Sequence, residues 1–278
     1  MPFRRWGAAL VMLLAGTASA CSDPPAKITI PEPGVQARRL TLPFDAYNFS
    51  PAEVMTLDVA EDLLVRDCMK GRGLAWRALP GPAESESAPP HLRRYGVIEA
   101  RTAGLFGYHP PPDRPGVAAR KADALARLAG ATPYVREAAR KCLGQARDHL
   151  GAGTPKADAA FFNKTIFATF DASQRDERVT RAFGAWSACM AEAGSRYPDP
   201  LSAITDRRWS TKQPTEQEIR TAQADVRCKE RTGLVALWAA ADTRLQNDAI
   251  RAHPKKFREL KAVKDRQLEA ARRVLARG

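Results

Sequence analysis

Residues 68–73 read Cys-Met-Lys-Gly-Arg-Gly and residues 189–194 read Cys-Met-Ala-Glu-Ala-Gly, so the pattern Cys-Met-x-x-x-Gly occurs twice. Each copy closes a stretch with helical apolar spacing, and an aromatic residue, Trp76 or Tyr197, follows three positions after the glycine. Glycine readily takes the left-handed conformation that terminates helices. Each copy therefore predicts the C-terminus of a helix with a cysteine in its last turns.

A further cysteine follows each copy on a later predicted helix, and the four cysteines in question are Cys68, Cys142, Cys189 and Cys228. Four cysteines allow three disulfide pairings. The repeated order favours one bridge within each unit, Cys68–Cys142 and Cys189–Cys228. A zinc site is the alternative use of cysteine, but no Cys-x-x-Cys spacing occurs and the four histidines lie in unrelated segments. We therefore predict two disulfides and no metal.

Capping signals give the starts of three helices. Residues 50–53, Ser-Pro-Ala-Glu, form a capping box with proline at the first helical position, and Gly71 or Gly73 should end that helix. A second helix should run from Thr132-Pro133 to Gly151. Residues 215–218, Thr-Glu-Gln-Glu, form another capping box, which predicts a long helix through Leu245.

The remaining helices are predicted from apolar spacing. A short helix is expected over 94–106, and a longer one over 173–193 presents an apolar stripe to a core. Pro254 should interrupt the long helix after residue 215 and start a last helix that ends near Ala276. Proline-rich connectors are expected over 80–92 and 107–116. No stretch alternates like a strand, so the predicted fold class is all-α, an irregular helical bundle.

The N-terminus has the features of an export signal. Two arginines at positions 4–5 precede an apolar run over 6–14, and residues 18–20 read Ala-Ser-Ala, a small-residue cleavage site. The run is too short to remain as a membrane-spanning helix. Cys21 comes next, so residues 18–21 also fit a bacterial lipobox, with Ala18 where leucine is usual. Lipidation of Cys21 is our expectation; cleavage to a soluble secreted protein is the alternative.

Five cysteines are an odd number for an oxidising compartment, and lipidation of Cys21 accounts for the fifth. We therefore expect an extracytoplasmic protein anchored to the outer face of the cell membrane. The predicted organisation is a signal peptide at 1–20, a lipid-anchored tether at 21–41 and a single helical domain at 42–278. The repeated pattern also indicates a duplication, with candidate halves at 42–151 and 152–250 and a basic C-terminal helix at 255–276.

Composition excludes several classes of protein. The chain has 278 residues, 44% of them hydrophobic, which is enough for a hydrophobic core. This excludes a mini-protein whose fold depends on disulfide bridges alone. Its mean hydropathy of −0.39 and single long apolar run exclude a polytopic membrane protein. Cleavage of the signal peptide removes two arginines and no acid, which lowers the formal charge from +13 to +11.

Most of that charge lies at the C-terminus. Residues 251–278 hold ten basic and three acidic side chains, and an apolar stripe runs along the same helix. Such a helix can lie on anionic lipid or a wall polymer, or it can pack its stripe on the domain and leave its charges in solvent. The candidate contacts with an anionic surface are Lys255, Lys256, Arg258, Lys261, Arg272 and Arg273. Nucleic acid is not an expected partner outside the membrane.

Chemical motifs are scarce. The sequence has no Gly-x-Ser-x-Gly elbow, Walker A loop, His-Glu-x-x-His pair or dinucleotide fingerprint, so we predict no catalytic residue and no cofactor site. Tyr108 and His109, ahead of three prolines, form the candidate ligand-facing loop, since ordered aromatic loops often contact ligands. Structural packing of that loop is the alternative. Glu84 and Glu86 are interpreted as solvated loop carboxylates.

Several motifs together resemble a known family. They are the lipobox, the two Cys-Met-x-x-x-Gly helix ends, residues 94–96 (Arg-Tyr-Gly), residues 107–111 (Gly-Tyr-His-Pro-Pro), and residues 225–229 (Asp-Val-Arg-Cys-Lys) ahead of Leu234 and Trp238. The chain resembles uncharacterised actinobacterial envelope lipoproteins over residues 42–275. The resemblance implies a location in the cell envelope and a helical, disulfide-bonded domain, and it implies no reaction.

Two functions follow as expectations. The first is a non-enzymatic, membrane-anchored lipoprotein that serves as a binding or accessory component of an envelope complex. The second is an envelope enzyme acting on a cell-wall polymer. A deep pocket with converging acidic or histidine groups favours the enzyme, and a bundle with an exposed apolar patch favours the binding protein.

Overall fold

The computed structural model describes residues 29–278; the predicted signal peptide and Cys21 lie outside them. Helices and connecting loops make up this part of the chain, and it contains no strand, which confirms the all-α prediction. The α-helices, in chain order, are α1 (Val35–Arg39), α2 (Pro51–Gly71), α3 (Ala100–Phe106), α4 (Pro115–Gly130), α5 (Pro133–Gly151), α6 (Ala159–Gln174), α7 (Glu177–Glu192), α8 (Pro200–Ile204), α9 (Glu216–Thr232), α10 (Leu234–Ala252) and α11 (Pro254–Leu275). Short 3-10 helices occupy Pro43–Ala46, Glu84–Glu86 and Arg207–Trp209.

A first bundle is formed by α2, α5 and α11. Helix α2 packs against both of the others, and α11 also contacts α5. The Cys68–Cys142 disulfide joins α2 to α5, beside the fully buried Met69. Ala60 of α2 and Ala271 of α11 meet without exposed surface, so small side chains let these helices approach closely. The last helix of the chain thus completes a bundle that begins near its start.

A second bundle is formed by α6, α7, α9 and α10. Helix α10 packs on α6 and α7, α7 packs on α9, and α3 lies across α9. The Cys189–Cys228 disulfide joins α7 to α9. Trp186 and Trp238, interpreted from the sequence as core residues, are both completely buried here.

The two Cys-Met-x-x-x-Gly segments end their helices in the same way. Gly73 and Gly194 have φ values of +71° and +80°. The following amide in each case donates to the carbonyl of the motif methionine, at 3.0 Å onto Met69 and 2.9 Å onto Met190. Both ends are therefore Schellman motifs, as the glycines predicted. Both disulfide pairings are also confirmed; the duplication itself stays a prediction.

The structure contains four α-helices that we did not predict, α1, α4, α6 and α8, and one predicted helix begins later than expected. The N-cap residue of α4, Arg114, makes no cap, but Glu86 accepts from the Gly116 amide at 2.7 Å, so Glu86 is not the solvated loop carboxylate that we predicted. Helix α6 is capped by Asp158, which accepts from the Phe161 amide at 2.8 Å. The helix predicted over 173–193 is α7 alone, because Asp176 caps a new start at Glu177 by accepting from the Arg178 amide. The stripe on α7 is nevertheless buried as predicted.

Two further boundaries differ from the prediction. The long helix expected after residue 215 is broken at Gly233, whose φ of +63° ends α9 before α10 begins. The short helix expected over 94–106 begins only at Ala100. The predicted break at Pro254 is confirmed, since the proline opens α11.

Helix α11 packs its apolar stripe on the domain. Phe257, Leu260 and Leu268 are buried, and Phe257 stacks on Phe44. Lys264, which interrupts the stripe, is also buried, and its Nζ donates to the carbonyls of Asp45 and Asn48, both at 2.7 Å. The apolar side of this helix is therefore packed within the fold, and its basic side chains other than Lys264 lie on the outer side.

The described part of the predicted tether also contacts the domain. Ala37 of α1 is completely buried, and the Gly34 amide donates to both carboxylate oxygens of Glu99, at 2.9 and 2.7 Å. Residues 31–41 are thus part of the folded domain instead of a tether. No helix among residues 29–278 is long and apolar enough to cross a membrane.

Candidate functional site

The predicted ligand-facing loop is held by a buried carboxylate. Glu218 in the first turn of α9 is completely buried and accepts from the amides of Tyr108 at 2.8 Å and His109 at 3.1 Å. Gly107 has a φ of +55°, and a Cβ added there would lie 2.7 Å from Glu218 Oε1. The predicted capping box at residues 215–218 is only half formed, because the Glu218 carboxylate bonds to this loop. The Thr215 hydroxyl accepts from the Glu218 amide, but the Glu218 side chain does not accept from the Thr215 amide.

His109 binds the protein through both ring nitrogens. Nδ1 lies 2.7 Å from Glu218 Oε1, and Nε2 lies 2.8 Å from the Thr211 carbonyl. The carbonyl and then the carboxylate raise the pKa of His109, because both favour the imidazolium. Tyr108 is buried, and its ring stacks on Trp209 with centroids 5.9 Å apart. The loop is thus anchored in the core; its contact with a ligand stays a prediction.

A buried ion pair, Asp225 and Lys229, lies about two to three turns further along α9. Lys229 Nζ lies 2.9 Å from Asp225 and donates to the Val97 carbonyl at 2.9 Å. Asp225 also accepts from the Trp186 indole at 2.9 Å. Burial raises the pKa of Asp225 and lowers that of Lys229, and their contact opposes both shifts. A Cβ at Gly96 would lie 2.8 Å from Nζ, so only glycine fits over the ammonium.

A third buried acid, Asp242 of α10, binds the start of the segment 94–109, which also contains Val97, Tyr108 and His109. It accepts from Arg94 Nε at 2.6 Å, from the Tyr95 hydroxyl at 3.0 Å and from Gln246 at 2.9 Å. Residues 94–96 and 107–109, two of the segments on which the family resemblance rests, therefore lie against α9 and α10. Glu218 and Asp242 bond to them directly, and Asp225 holds Lys229, which donates to the Val97 carbonyl. These acids form a structural network, which we call the acid network.

The largest apolar cavity described lies elsewhere, between α2, α4 and α5. Its volume is about 480 Å³, within the range of about 300–1,000 Å³ that is usual for small-molecule sites. Most of its wall is apolar and is formed by Met55, Val65, Trp76, Leu79, Val117, Ala124, Leu128, Ala139 and Leu143. We call it the α4 cavity.

Three acids of α2 border the α4 cavity. Asp62 is buried and accepts from the Trp76 indole at 3.2 Å and the Leu79 amide at 2.7 Å. Burial raises the pKa of Asp58 and of Glu61, although nearby arginines oppose both shifts. Glu61 lies 3.3 Å from Arg147 of α5. The cavity therefore combines apolar walls with carboxylates at one end.

Helix α4 spans this cavity without a buried residue of its own. Polar side chains attach it: Arg120 donates to the Leu79 carbonyl at 2.5 Å, and Arg127 donates to the Arg77 carbonyl at 2.6 Å. The Arg127 guanidinium also stacks on Trp76, 4.1 Å from the ring centroid. The helix is thus held at one edge by hydrogen bonds and leaves the apolar space beneath it.

The predicted anionic-surface residues all lie on α11, and they differ in their partners. Lys256, Lys261 and Arg273 each contact an acid, at distances of 3.0, 2.8 and 2.5 Å. Lys255, Arg258 and Arg272 are exposed and have no acidic partner among residues 29–278. The outer face of α11 therefore carries uncompensated positive charge.

Sequence reasoning missed both the acid network and the α4 cavity. The signal for the network was available: Asp225 and Lys229 are four residues apart on a helix, next to positions predicted to be apolar. Nothing in the sequence indicated the cavity. No cluster of three or more metal-ligating side chains occurs within the described part of the chain. Compared with known families, curated proteins and solved structures, the chain matches none.

Proposed function

We propose that this protein is a lipoprotein anchored through Cys21 to the outer face of the cell membrane. There its helical domain serves as a non-enzymatic binding component of the envelope, either alone or as an accessory subunit of a complex. The family resemblance points to the same location. Anchoring would raise the effective concentration of the domain near partners in the same membrane.

The disulfide pairing is the observation that best supports the proposed lipid anchor. The chain has five cysteines, and four of them are bonded to each other as Cys68–Cys142 and Cys189–Cys228. Two such bridges are typical of an oxidising compartment. The fifth cysteine, Cys21, directly follows the predicted Ala-Ser-Ala cleavage site. Thioether lipidation is the use of a cysteine at this position that fits both facts.

The anchor is tested by metabolic labelling with a fatty acid in the native host. The wild type and a Ser22→Ala control should both take up label, whereas Cys21→Ala should take up none and be released to the medium. A wild type without label would rule out the anchor and favour the soluble secreted form.

The outer face of α11 supports a defined orientation on the membrane. Each basic residue near an anionic bilayer contributes about 1 kcal/mol to binding. Changing the unpartnered set, Lys255, Arg258 and Arg272, to glutamine should therefore weaken binding to phosphatidylglycerol vesicles about 100-fold. The matched control changes Lys256, Lys261 and Arg273 to glutamine. It removes the same charge, but each of these cations already has an acid partner, so the loss should be smaller. Equal losses of vesicle affinity in the two variants would contradict the role of the unpartnered set. If the protein bound wall polymer and no vesicles, the polymer would replace lipid as the partner of α11.

A second candidate, an envelope enzyme acting on a wall polymer, draws support from Asp58 and Glu61. Both lie at the α4 cavity, and burial raises the pKa of each, as a general acid requires. We place this second because arginines accompany both carboxylates. Release of soluble fragments from purified cell wall by the wild type, but not by Asp58→Asn or Glu61→Gln, would reverse the order.

A further inference from the structure

The inward side of α4 determines the shape of the α4 cavity. Val117, Arg120, Ala124 and Arg127 recur at helical spacing, so all four face α2 and α5. Arg120 and Arg127 donate hydrogen bonds to main-chain carbonyls of residues 77–80, and Arg127 also forms an ion pair with Asp62. The valine and the alanine are left facing the cavity. The space is therefore long, lies parallel to α4 and is apolar along its sides.

The two ends of the α4 cavity differ in charge. Helices α2 and α5 run antiparallel, because Cys68 near the end of α2 bonds Cys142, and Glu61 in the middle of α2 contacts Arg147 near the end of α5. The N-terminal turns of α5 therefore lie at the end away from Glu61. Arg136 and Arg140 project from those turns and line the cavity. The helix dipole adds positive potential there.

The side chains at the positive end are able to bind an anion. Arg136 donates only to main-chain carbonyls, those of Leu128 at 3.3 Å and Ala131 at 2.8 Å, and has no acid partner among the described residues. Arg140 is exposed and contacts Glu137 on its own helix, a surface pair of the kind that contributes little to stability. At the other end, the carboxylates of α2 are accompanied by Arg120 and Arg147, so that end offers no unpartnered positive charge to an anion. The charge pattern thus gives a bound molecule one orientation.

We propose that the α4 cavity binds one amphiphile with a single alkyl chain and an anionic head. The chain lies along the apolar walls beneath α4, and the carboxylate or phosphate head contacts Arg136 and Arg140. The inference deepens the binding role proposed above and does not depend on the lipid anchor. A protein that takes up no fatty acid label can still have this site, and a labelled protein can lack it.

Trp76 in the cavity wall provides the measurement. The full chain with Trp6→Phe and Cys21→Ser, which removes the tryptophan of the predicted signal peptide and the lipid-attachment residue, is titrated with 11-bromoundecanoate while tryptophan fluorescence is recorded. Bromine quenches only tryptophans that it nearly touches, and Trp186, Trp209 and Trp238 are buried in the second bundle. Saturable quenching is expected, and it should disappear in Trp76→Phe. Quenching that persists in Trp76→Phe would place the ligand elsewhere.

Two comparisons define the ligand. The bromoundecyl trimethylammonium ion has the same chain with a cationic head and should bind at least tenfold more weakly than the carboxylate. Tighter binding of the cation would overturn the assigned charge. Dodecyl phosphate, competing with the brominated acid, distinguishes a phosphate head from a carboxylate head.

Two pairs of variants test the site itself. Ala124→Phe fills the cavity and should abolish quenching, whereas Ala126→Phe, on the exposed side of the same helix, should not. Arg136→Gln with Arg140→Gln should weaken carboxylate binding at least tenfold and leave the cation unaffected. The control is Arg220→Gln, another exposed arginine that contacts an acid on its own helix. Because α4 has no buried residue, Ala124→Phe should fold, which circular dichroism checks. Unchanged quenching in Ala124→Phe would overturn the proposal.

Discussion

The two bundles have the same disulfide arrangement and the same helix ends but differ in what fills the space beside them. In the second bundle, the space around α9 is filled by indole rings and by the acid network, whose carboxylates are all buried and each accept hydrogen bonds through at least one oxygen. In the first, the space beside α2 and α5 is spanned by α4, which buries no residue and leaves a cavity of about 480 Å³. A disulfide at the end of a helix pair thus fixes the pair and leaves the packing of its outer side free to become core or cleft.

The largest effect is expected from the acid network. Asp225→Asn leaves the Lys229 ammonium buried without its counter-charge, and breaking a buried pair in this way costs about 3–5 kcal/mol of unfolding free energy. Urea denaturation followed by circular dichroism measures the loss.

The matched control is Asp171→Asn. Asp171 forms an exposed pair with Arg175 four residues later, so its loss should cost less than about 1 kcal/mol. If both variants lost the same stability, the acid network would have no special role in the second bundle.

The disulfides come next and compare the bundles directly. They close loops of 74 and 39 residues, for which loop entropy gives about 4.4 and 3.9 kcal/mol. Replacing both cysteines of either pair with alanine should therefore cost about 4 kcal/mol in the same denaturation experiment. Nearly equal losses are expected, because the entropy concerns the unfolded chain and not the packing. A much smaller loss for Cys68–Cys142 would show that the first bundle is strained by its bridge.

The sequence predicted those features whose causes are local. The caps at Ser50 and Thr132, the break at Pro254 and both glycine helix ends depend on residues within one or two turns. The disulfide pairing was predicted from the order of the four cysteines along the chain. Helix α6 also had a local cap in Asp158, followed by aromatic residues at helical spacing, and that signal was overlooked.

The rest depends on contacts distant in sequence. Helix α4 has Val117, Ala124 and Leu128 on one side, but Arg120 and Arg127 interrupt that side, so its apolar spacing is a weak signal in the sequence. Glu218 occupies a capping-box position, but its carboxylate bonds to Tyr108 and His109, which lie 110 and 109 residues away. The α4 cavity is a gap between three helices, and no residue pattern specifies a gap.

A smaller effect should appear in the pH dependence of stability. Glu218 and the Thr211 carbonyl raise the pKa of His109 above the 6.5 of the unfolded chain. The stabilisation is therefore complete below about pH 6.5 and is lost as the pH rises through the higher pKa of the folded state. A partly exposed contact of this kind contributes roughly 1 kcal/mol.

The measurement is the free energy of unfolding between pH 5 and 8. The wild type and His149→Gln, a change at an exposed histidine of α5, should lose this stability toward pH 8. His109→Gln should not, because its side chain has no charge to lose. A fall of the same size in His109→Gln would assign the pH dependence to other groups.

The smallest effect on global stability, and the sharpest contrast between the bundles, concerns α4. A helix without buried side chains can open without disrupting a core, so its amides should exchange with solvent through local opening. The amides of α9, which carries the acid network, should exchange only on global unfolding. Arg120→Gln removes hydrogen bonds that hold α4 and should speed exchange along that helix, while the free energy of unfolding changes by less than about 0.5 kcal/mol. Hydrogen–deuterium exchange with mass spectrometry separates the two helices. Equal protection of α4 and α9 would mean that α4 is part of the core.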